Sequence, residues 1–174
     1  RLGNCCYMQD GTIQTVPPVP RIADYDQIPS PYLDGTMDQF FDGQLYPQIE
    51  TNRGCPFTCT FCQQGTTYFT KVRYYDSDRV QEELDYIAGM IAEKAPQVHT
   101  LGVVDANFGM YERDIDIAGH IGQIQKDTGW PTFIEVTTGK NRFERVLRTV
   151  ELLNNSLPIL SSVQSLDDEV LKNI

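Results

Sequence analysis

The sequence has little of what membrane, secreted and nucleic-acid-binding proteins need. It contains no run of about 18 apolar residues that could cross a bilayer, and its first residues show no basic stretch followed by an apolar one, as a secretory signal would. Its 14 basic residues are outnumbered by 24 acidic residues and do not gather into a stripe, so nonspecific binding to nucleic acid is not expected. We therefore predict a cytoplasmic protein that has no membrane partner.

Histidine is also scarce, which limits the metal chemistry. Neither His99 nor His120 stands at a ligand spacing from another metal-binding residue. Cysteine is better represented, because five cysteines without a secretory signal favour metal or redox chemistry over a disulfide framework. Three of them, Cys55, Cys59 and Cys62, lie in the stretch CPFTCTFC.

The spacing of these three thiols distinguishes between kinds of metal site. A closed structural zinc site needs four ligands, and no fourth ligand stands nearby. Bacterial ferredoxins place two residues between successive cysteines, whereas the gaps here are three and then two. A four-iron cluster on three thiolates would leave one iron open to a further ligand. A module in which the cysteines hold zinc or nothing remains the alternative, and we expect no metal at Cys5 and Cys6.

The chain divides into two parts by sequence pattern. Residues 1–45 contain a predicted hairpin closed at Asp10 and Gly11, then a proline-rich linker that we expect to lie over a surface, outside the core. From residue 46, four strand patterns alternate with four helical patterns. The predicted strands are 46–52, 98–104, 131–138 and 158–165, and the predicted helices are 77–94, 114–129, 143–155 and 166–174. This alternation predicts an α/β fold with a parallel sheet.

Unusual residues follow each predicted strand. The cysteine loop follows the first strand, and VVDANFG, EVTTGKN and SVQS end the next three. The carboxyl ends of parallel strands meet at one rim, so these residues are predicted to meet there. Four units are too few for a closed barrel of eight, which predicts a partial (β/α) barrel and a fragment of a larger fold. We expect an exposed sheet edge through which two chains could form a homo-oligomer.

Several motifs together resemble one enzyme superfamily. CPFTCTFC is similar to the CxxxCxxC loop of radical S-adenosylmethionine (SAM) enzymes, including the aromatic Phe61 before the third cysteine. IETNRGCPFTCTFC, ADYDQIPSPYLDG and VVDANFG resemble the branch whose members carry a cobalamin-binding domain before the barrel. FIEVTT and SSVQSLDDEVLKNI resemble the third and fourth strands of radical SAM enzymes. The resemblance runs from about Ile22 to the last residue.

This resemblance implies a set of cofactors. The three thiolates would hold a 4Fe-4S cluster, and the amino and carboxylate groups of SAM would chelate the fourth iron. One electron, from an external flavodoxin or ferredoxin type donor, would cleave SAM to methionine and a 5′-deoxyadenosyl radical. The full-length parent would be a cobalamin-dependent methyltransferase or a radical rearrangement or cyclisation enzyme. Its substrate is unknown from the sequence, and the isolated fragment is expected to be inactive.

The same resemblance implies a domain division and an alternative activity. Residues 1–45 would be a linker with a remnant of a preceding cobalamin-binding domain, and residues 46–174 the N-terminal part of the radical SAM barrel. An RNA-modifying radical methylthiotransferase shares the loop chemistry, but fits the acidic composition and the linker less well. No catalytic residue is assigned.

Further cofactor contacts are predicted at the rim. Phe61 would lie against the adenine, by analogy with the superfamily. Asp105 and Asn107 would bind the ammonium group of SAM, with a turn or cap as the equal alternative. Glu135 and Gln164 would bind ribose hydroxyls, provided that the strand register is correct. Weaker candidates for the rim or for support of the loop are Ser162, Ser165, Thr137, Thr138, Lys140, Gln63, Gln64 and Arg53.

Acidic residues elsewhere are given structural roles. Asp114 and Asp116 are predicted on a solvated helix face, and the acidic residues of 167–169 near the start of the fourth helix, where the helix dipole favours them. Ser77 or Asp78 is the predicted cap of the first helix.

Overall fold

The structure is a computed structural model that describes residues 4–17, 19–20, 22–159 and 163–172. These residues form seven strands and four α-helices. The strands are β1 Cys6–Gln9, β2 Thr12–Thr15, β3 Gln48–Ile49, β4 Asn52–Arg53, β5 Arg73–Tyr74, β6 Thr100–Phe108 and β7 Phe133–Thr138. The helices are α1 Ser77–Lys94, α2 Arg113–Thr128, α3 Phe143–Leu152 and α4 Asp168–Leu171.

A three-stranded parallel sheet lies at the centre of the fold. Its strand order is β3, β6, β7, with Ile49 opposite Val103 and Val103 opposite Val136. Along the chain, β3 is followed by α1, β6 by α2 and β7 by α3. This alternation confirms the predicted α/β class.

Helices cover one face of this sheet. Apolar residues of α1 and α2 pack with alternate strand residues in one core, whose members include Val80, Leu84, Ile87, Ile117, Ile121, Leu101, Val103, Ile134 and Val136. The intervening strand positions, among them Val104, Phe133 and Glu135, are exposed on the other face. Side chains on the sheet therefore lie in one of two environments, buried under the helices or exposed to solvent on the opposite face.

The first long helix follows from its apolar spacing, and its predicted bounds, Ser77–Lys94, are confirmed. The predicted cap is wrong. Asp76 caps α1, because its carboxylate accepts a hydrogen bond from the Asp78 N–H at 2.9 Å. None of the helices in the described part of the chain combines the length and apolar character of a membrane-spanning segment.

The first predicted strand, 46–52, is wrong in its extent. Its parallel pairing with β6 ends at Ile49, and β4 pairs instead with β5 in a separate antiparallel ribbon. The reason is a long-range contact, because the backbone N–H groups of Thr51 and Asn52 donate to the side chain of Asp105. The ribbon that results forms the base of the cysteine loop.

The fourth predicted unit can be compared only in part. Residues 160–162 lie outside the described residues, and residues 158–159 and 163–165 on either side form no strand. The helix predicted over 166–174 is present as the short α4, capped by Asp167. Three β/α units are therefore present in the described part of the chain, where the pattern predicted four.

Residues in the left-handed conformation set two element ends. β1 and β2 form the predicted hairpin, with Asp10 and Gly11 at φ angles of 50° and 73° in its turn. The third helix was predicted to end at residue 155 but ends at Leu152. It ends early because Asn154 and Asn155 take φ angles of 52° and 59°, which do not continue a right-handed helix.

The proline-rich linker contributes to the core, so the prediction that it only lies over a surface is wrong. Tyr32 and Phe41 are buried in the hydrophobic core. The Tyr32 hydroxyl donates to the Gln48 carbonyl at 2.7 Å and accepts from the Gln48 N–H at 3.1 Å. Arg79 of α1 donates to the Ile28 carbonyl at 2.7 Å. The linker is therefore attached to both α1 and β3.

Candidate functional site

The cysteine loop, residues 54–72, leaves and returns to the fold through β4 and β5. Its ends are joined by the Cys55 N–H, which donates to the Phe69 carbonyl at 2.9 Å. Gly54 takes a φ of 120°, which residues with a side chain rarely adopt. A Cβ at Gly65 would lie 2.2 Å from the Cys59 carbonyl oxygen. The path of this loop therefore requires glycine on both sides of the cysteines.

All three cysteines of the loop are free thiols. Cys55 and Cys59 are half-buried, and Cys62 is exposed. The Cys62 N–H donates to the Cys59 carbonyl at 3.1 Å, and the Gly65 N–H donates to the Cys62 carbonyl at 2.9 Å. These turns fold the second half of the loop back on itself and hold two of the three thiols on one short segment.

Polar residues continue the buried face of β6 towards its carboxyl end. Leu101 and Val103 are core residues on this face, and Asp105 and Asn107 follow at the same spacing. β6 has four residues between Val103 and Phe108, where β7 has one between their partners Val136 and Thr138. The extra residues carry the end of β6 out of regular pairing and bring its polar side chains to the cysteine loop.

Asp105 holds the entry to the cysteine loop. It is 2% exposed and accepts hydrogen bonds from the Thr51 N–H at 2.7 Å, the Thr51 hydroxyl at 2.5 Å, the Asn52 N–H at 3.3 Å and the Asn52 side-chain amide at 2.6 Å. Burial raises the pKa of Asp105 to about 6, against the opposing effect of these hydrogen bonds. The described contacts thus give both carboxylate oxygens protein partners. Its predicted contact with SAM stays a prediction.

Asn107 reaches the first cysteine directly. Its side-chain amide donates to the Cys55 Sγ at 3.3 Å, and the residue is 4% exposed. The backbone carbonyl of Asn107 accepts a hydrogen bond from the Met110 N–H at 3.2 Å, and this bond anchors the turn after β6. The amide thus points at the Cys55 thiol, and the predicted contact of Asn107 with the ammonium group of SAM stays a prediction.

Phe61 lies at the open side of the loop. It is 53% exposed, and the ammonium nitrogen of Lys140 lies 5.7 Å from the centre of its ring. This distance is within the range of a cation–π contact. Two of the residues named for the rim, one on the loop and one just after β7, are therefore neighbours. The predicted contact of Phe61 with the adenine stays a prediction.

Glu135 lies on the exposed face of the sheet and already has a partner. The Tyr46 hydroxyl donates to its carboxylate at 2.6 Å, and this contact raises the pKa of Tyr46. The Tyr46 ring crosses Gly102, where a Cβ would lie 3.2 Å from the ring and 2.9 Å from the Gln48 side chain. Sequence analysis assigned no role to Tyr46, although it is the first residue of the predicted strand 46–52.

The remaining candidates are more dispersed. Gln164 is exposed in an irregular segment, and within the described residues no contact joins it to Glu135 or to the cysteine loop. Arg53 forms an ion pair with Glu50. The Ser165 hydroxyl accepts from the Asp167 N–H at 3.0 Å, in the cap of α4. Thr137 is exposed, Thr138 is buried, and Gln63 and Gln64 form a short 3-10 turn, while Ser162 lies outside the described residues.

Asp114 is a correction to the sequence analysis. It was predicted on a solvated helix face, but it is fully buried, whereas Asp116 is exposed as predicted. The Asp114 carboxylate accepts hydrogen bonds from the Gly109 N–H at 2.8 Å and from the Tyr111 N–H at 2.9 Å. Asp114 thereby holds the turn between β6 and α2. Burial raises the pKa of Asp114 to about 6. Its position in the first turn of the helix, just after a glycine-containing turn, was the available signal.

Comparison with known proteins decides the family. The family model described as the radical SAM superfamily matches residues 49–174, which include the whole cysteine loop. This chain belongs to the radical SAM superfamily. The resemblance stated from the sequence motifs is thereby confirmed.

Relatives with names narrow the branch of radical SAM enzymes. The chain is 35% identical over 166 residues to the 2-(S-pantetheinyl)-carbapenam-3-carboxylate methyltransferase of Streptantibioticus cattleyicolor, covering 90% of this chain and 24% of that protein. It is 32% identical over 165 residues to the cobalamin-dependent radical SAM methyltransferase TokK of Streptomyces tokunonensis, covering 90% and 23%. An uncharacterized methyltransferase of Pyrococcus horikoshii is 30% identical over 145 residues, covering 82% and 30%. The chain thus spans about a quarter of the length of the first two relatives.

The donor set of this radical SAM chain fits an iron-sulfur cluster. Three free thiols share one loop, and thiolates are the usual ligands of such clusters. The buried amide of Asn107 donates to one of them, as expected around metal ligands. Among the described residues, no group of three or more His, Cys, Asp or Glu is placed to hold one metal ion. In a 4Fe-4S cluster each thiolate binds a different iron, so the three thiols need not converge on one ion.

Proposed function

We propose that this chain is the cluster-binding part of a cobalamin-dependent radical SAM methyltransferase. The observation that carries the proposal is the set of free thiols of Cys55, Cys59 and Cys62 on one glycine-bounded loop beyond β3. The family match and the similarity to two methyltransferases, of which TokK is a cobalamin-dependent radical SAM methyltransferase, support the choice of branch. Methyl transfer to an unactivated carbon of an unidentified substrate is the parent activity that we propose.

The chain's own residues hold and orient the cofactors in this proposal. The three thiolates of Cys55, Cys59 and Cys62 would hold a 4Fe-4S cluster, and Phe61 would lie against the adenine of SAM. When bound, the cluster supplies the single electron that splits SAM. Glu135 and Gln164 are retained as ribose contacts, and Glu135 can keep its Tyr46 partner on one carboxylate oxygen while the other accepts from a ribose hydroxyl.

The larger architecture is part of the same proposal. We infer that β3, β6 and β7 with their helices are the first units of a partial barrel in residues 46–174, and that residues 1–45 link it to a cobalamin-binding domain. The exposed sheet face would then be the inner face of the barrel. An external donor of the flavodoxin or ferredoxin type supplies the electron. The 174 residues alone are expected to show no multiple turnover.

Electron paramagnetic resonance tests the proposal. The protein is reconstituted with iron and sulfide without oxygen, reduced, and recorded with and without SAM. We expect a reduced-cluster signal that changes shape when SAM is added, because SAM binds the open iron. A folded protein that takes up no cluster would refute the proposal and favour a zinc or interaction module.

Two matched variants make the test specific for SAM. Phe61→Ala removes the exposed ring next to the cysteines, and Tyr68→Ala removes an equally exposed ring elsewhere in the same loop. We expect Phe61→Ala to weaken the response of the signal to SAM by about tenfold in SAM concentration, the scale of one stacking contact of about 1–1.5 kcal/mol. Tyr68→Ala is expected to respond as wild type. Equal responses in both variants would remove Phe61 from the SAM site.

A further inference from the structure

Asn107 at the end of β6 makes a hydrogen bond to the first cysteine of the loop. The side-chain amide of Asn107 donates to the Cys55 Sγ at 3.3 Å, although Asn107 was predicted to bind the ammonium group of SAM. With 4% of its surface exposed, Asn107 has little room for a second ligand. The contact joins the end of β6 to the first cysteine of the loop.

The surroundings make this hydrogen bond well fixed. Asp105, two residues earlier on the same face of β6, binds Thr51 and Asn52 at the entry to the loop. The strand therefore holds the loop at its entry and at Cys55 at once. Within the described residues, no side-chain amide is found on Cys59 or Cys62, so Cys55 has a distinct environment.

A hydrogen bond to a cluster sulfur has a known electronic effect. An N–H donor draws negative charge from the sulfur and so favours the reduced cluster, which carries one more electron. Hydrogen bonds to the sulfurs are among the factors that set the reduction potentials of iron-sulfur clusters. Groups that hydrogen-bond to a metal ligand also fix its orientation. The low polarity around a buried amide strengthens both effects.

We infer that Asn107 is a positioning residue for Cys55, and that its amide raises the reduction potential of the cluster bound by the loop. This inference rests on the proposed function, because it concerns the same three thiolates. It gives Asn107 a role through Cys55, and not through SAM.

Reduction potentials test the electronic part. Asn107→Leu removes the donor and keeps a similar volume, and Asn141→Leu is the control, an amide just after β7 for which the structure gives no contact with a cysteine. We expect the ratio of reduced to oxidised cluster at a fixed potential to fall in Asn107→Leu, by about tenfold if the effect matches the lower end of those on metal affinity when a hydrogen-bond partner of a ligand is removed. For a one-electron couple this is a shift of about −59 mV. Equal potentials in wild type and both variants would overturn the inference.

A second variant and a spectroscopic readout separate this role from simple loss of packing. Asn107→Asp keeps the shape of the side chain but replaces the donor by an acceptor, so it should shift the potential further in the same direction, even where leucine is not tolerated. Electron-nuclear double resonance of the reduced wild-type cluster should show the coupling of an exchangeable proton that is absent in Asn107→Asp. An unchanged coupling would overturn the inference.

The contact can also be tested in the metal-free protein. Protein labelled with 15N-asparagine shows the Asn107 side-chain amide as the NMR signal that disappears in Asn107→Asp. We expect this signal to move in Cys55→Ala and to stay in place in Cys59→Ala. An unmoved signal in both would refute the contact. A moved signal in a protein that takes up no cluster would refute the proposed function but support the contact.

Discussion

The linker, residues 22–45, and the cysteine loop, residues 54–72, are both irregular, but they differ in the burial of their aromatic residues. The linker buries Tyr25, Tyr32 and Phe41 against the rest of the fold. In the cysteine loop, all of which the structure describes, no residue is buried, and Phe61 and Tyr68 are more than half exposed. The linker thus completes a core, whereas the loop leaves apolar surface uncovered.

The two segments are also anchored differently. The linker is attached along its length, through the Arg79 contact with Ile28 and the Tyr32 contacts with Gln48. The cysteine loop is attached at its two ends and, through Asn107, at Cys55. An irregular segment that is fixed only near its base keeps its middle accessible. This arrangement suits a segment that binds a cofactor, and the predictions below test it.

The largest effect is expected from Gly65→Ala. The added Cβ would collide with the Cys59 carbonyl, which is backbone and cannot move away alone. We expect the iron and sulfide content after anaerobic reconstitution to fall several-fold, and the free energy of unfolding to fall by about 1–3 kcal/mol. Gly89→Ala in α1 is the control, because nothing lies within 4 Å of the new Cβ. Full cluster content in Gly65→Ala would contradict the described loop path.

The anchoring of the loop entry is tested by Asp105→Asn through its dependence on pH. Burial raises the pKa of Asp105 from 3.8 to about 6 in the folded protein, so the folded state binds the proton more tightly than the unfolded state. The stability that Asp105 contributes is therefore complete below pH 4 and decreases as the pH rises to about 6. The change is at most about 3 kcal/mol.

Urea unfolding between pH 4 and pH 7 measures this change. We expect the unfolding free energy of wild type, relative to Asp105→Asn, to decrease as the pH rises through this range. Asp114→Asn provides a comparison, since burial raises the pKa of Asp114 to about 6 as well. A difference from wild type that is independent of pH in Asp105→Asn would show that this carboxyl is not buried as described.

The smallest effect is expected from Tyr32→Phe in the linker. The variant removes a hydroxyl that bonds both the N–H and the carbonyl of Gln48. We expect the free energy of unfolding to fall by about 1–2 kcal/mol, because two backbone groups lose their partner. The cluster content should stay at the wild-type level. Tyr7→Phe in the exposed hairpin is the control. A loss of cluster in Tyr32→Phe would contradict the separation of roles between a linker that completes the core and a loop that binds the cofactor.

Local pattern was enough to predict the first long helix and the hairpin, and it predicted the other elements with less accurate bounds. The apolar spacing of α1 gives its bounds, and Asp10 and Gly11 give the hairpin turn, because both signals lie within a few residues of the structure that they determine. The three cysteines were found for the same reason. Their spacing within one short stretch is a property of the sequence alone.

Long-range contacts account for what the sequence did not predict. The first strand breaks after Ile49 because Asp105, more than fifty residues away, takes the N–H groups of Thr51 and Asn52. Asp114 is buried because two N–H groups of the preceding turn need an acceptor, which charge pattern does not reveal. For Gln164, the strand that would orient it falls partly outside the described residues, and its role stays a prediction.

Tyr32 also determines at which edge the central sheet can be extended by a further strand. Its hydroxyl takes the two backbone groups of Gln48 that would otherwise accept a neighbouring strand on the outer side of β3. On the outer side of β7, the Ile134 N–H donates to the Ser156 carbonyl at 2.9 Å, from the segment that follows α3. The linker therefore closes the sheet beside β3, and any further strand would follow from the chain after α3, beside β7.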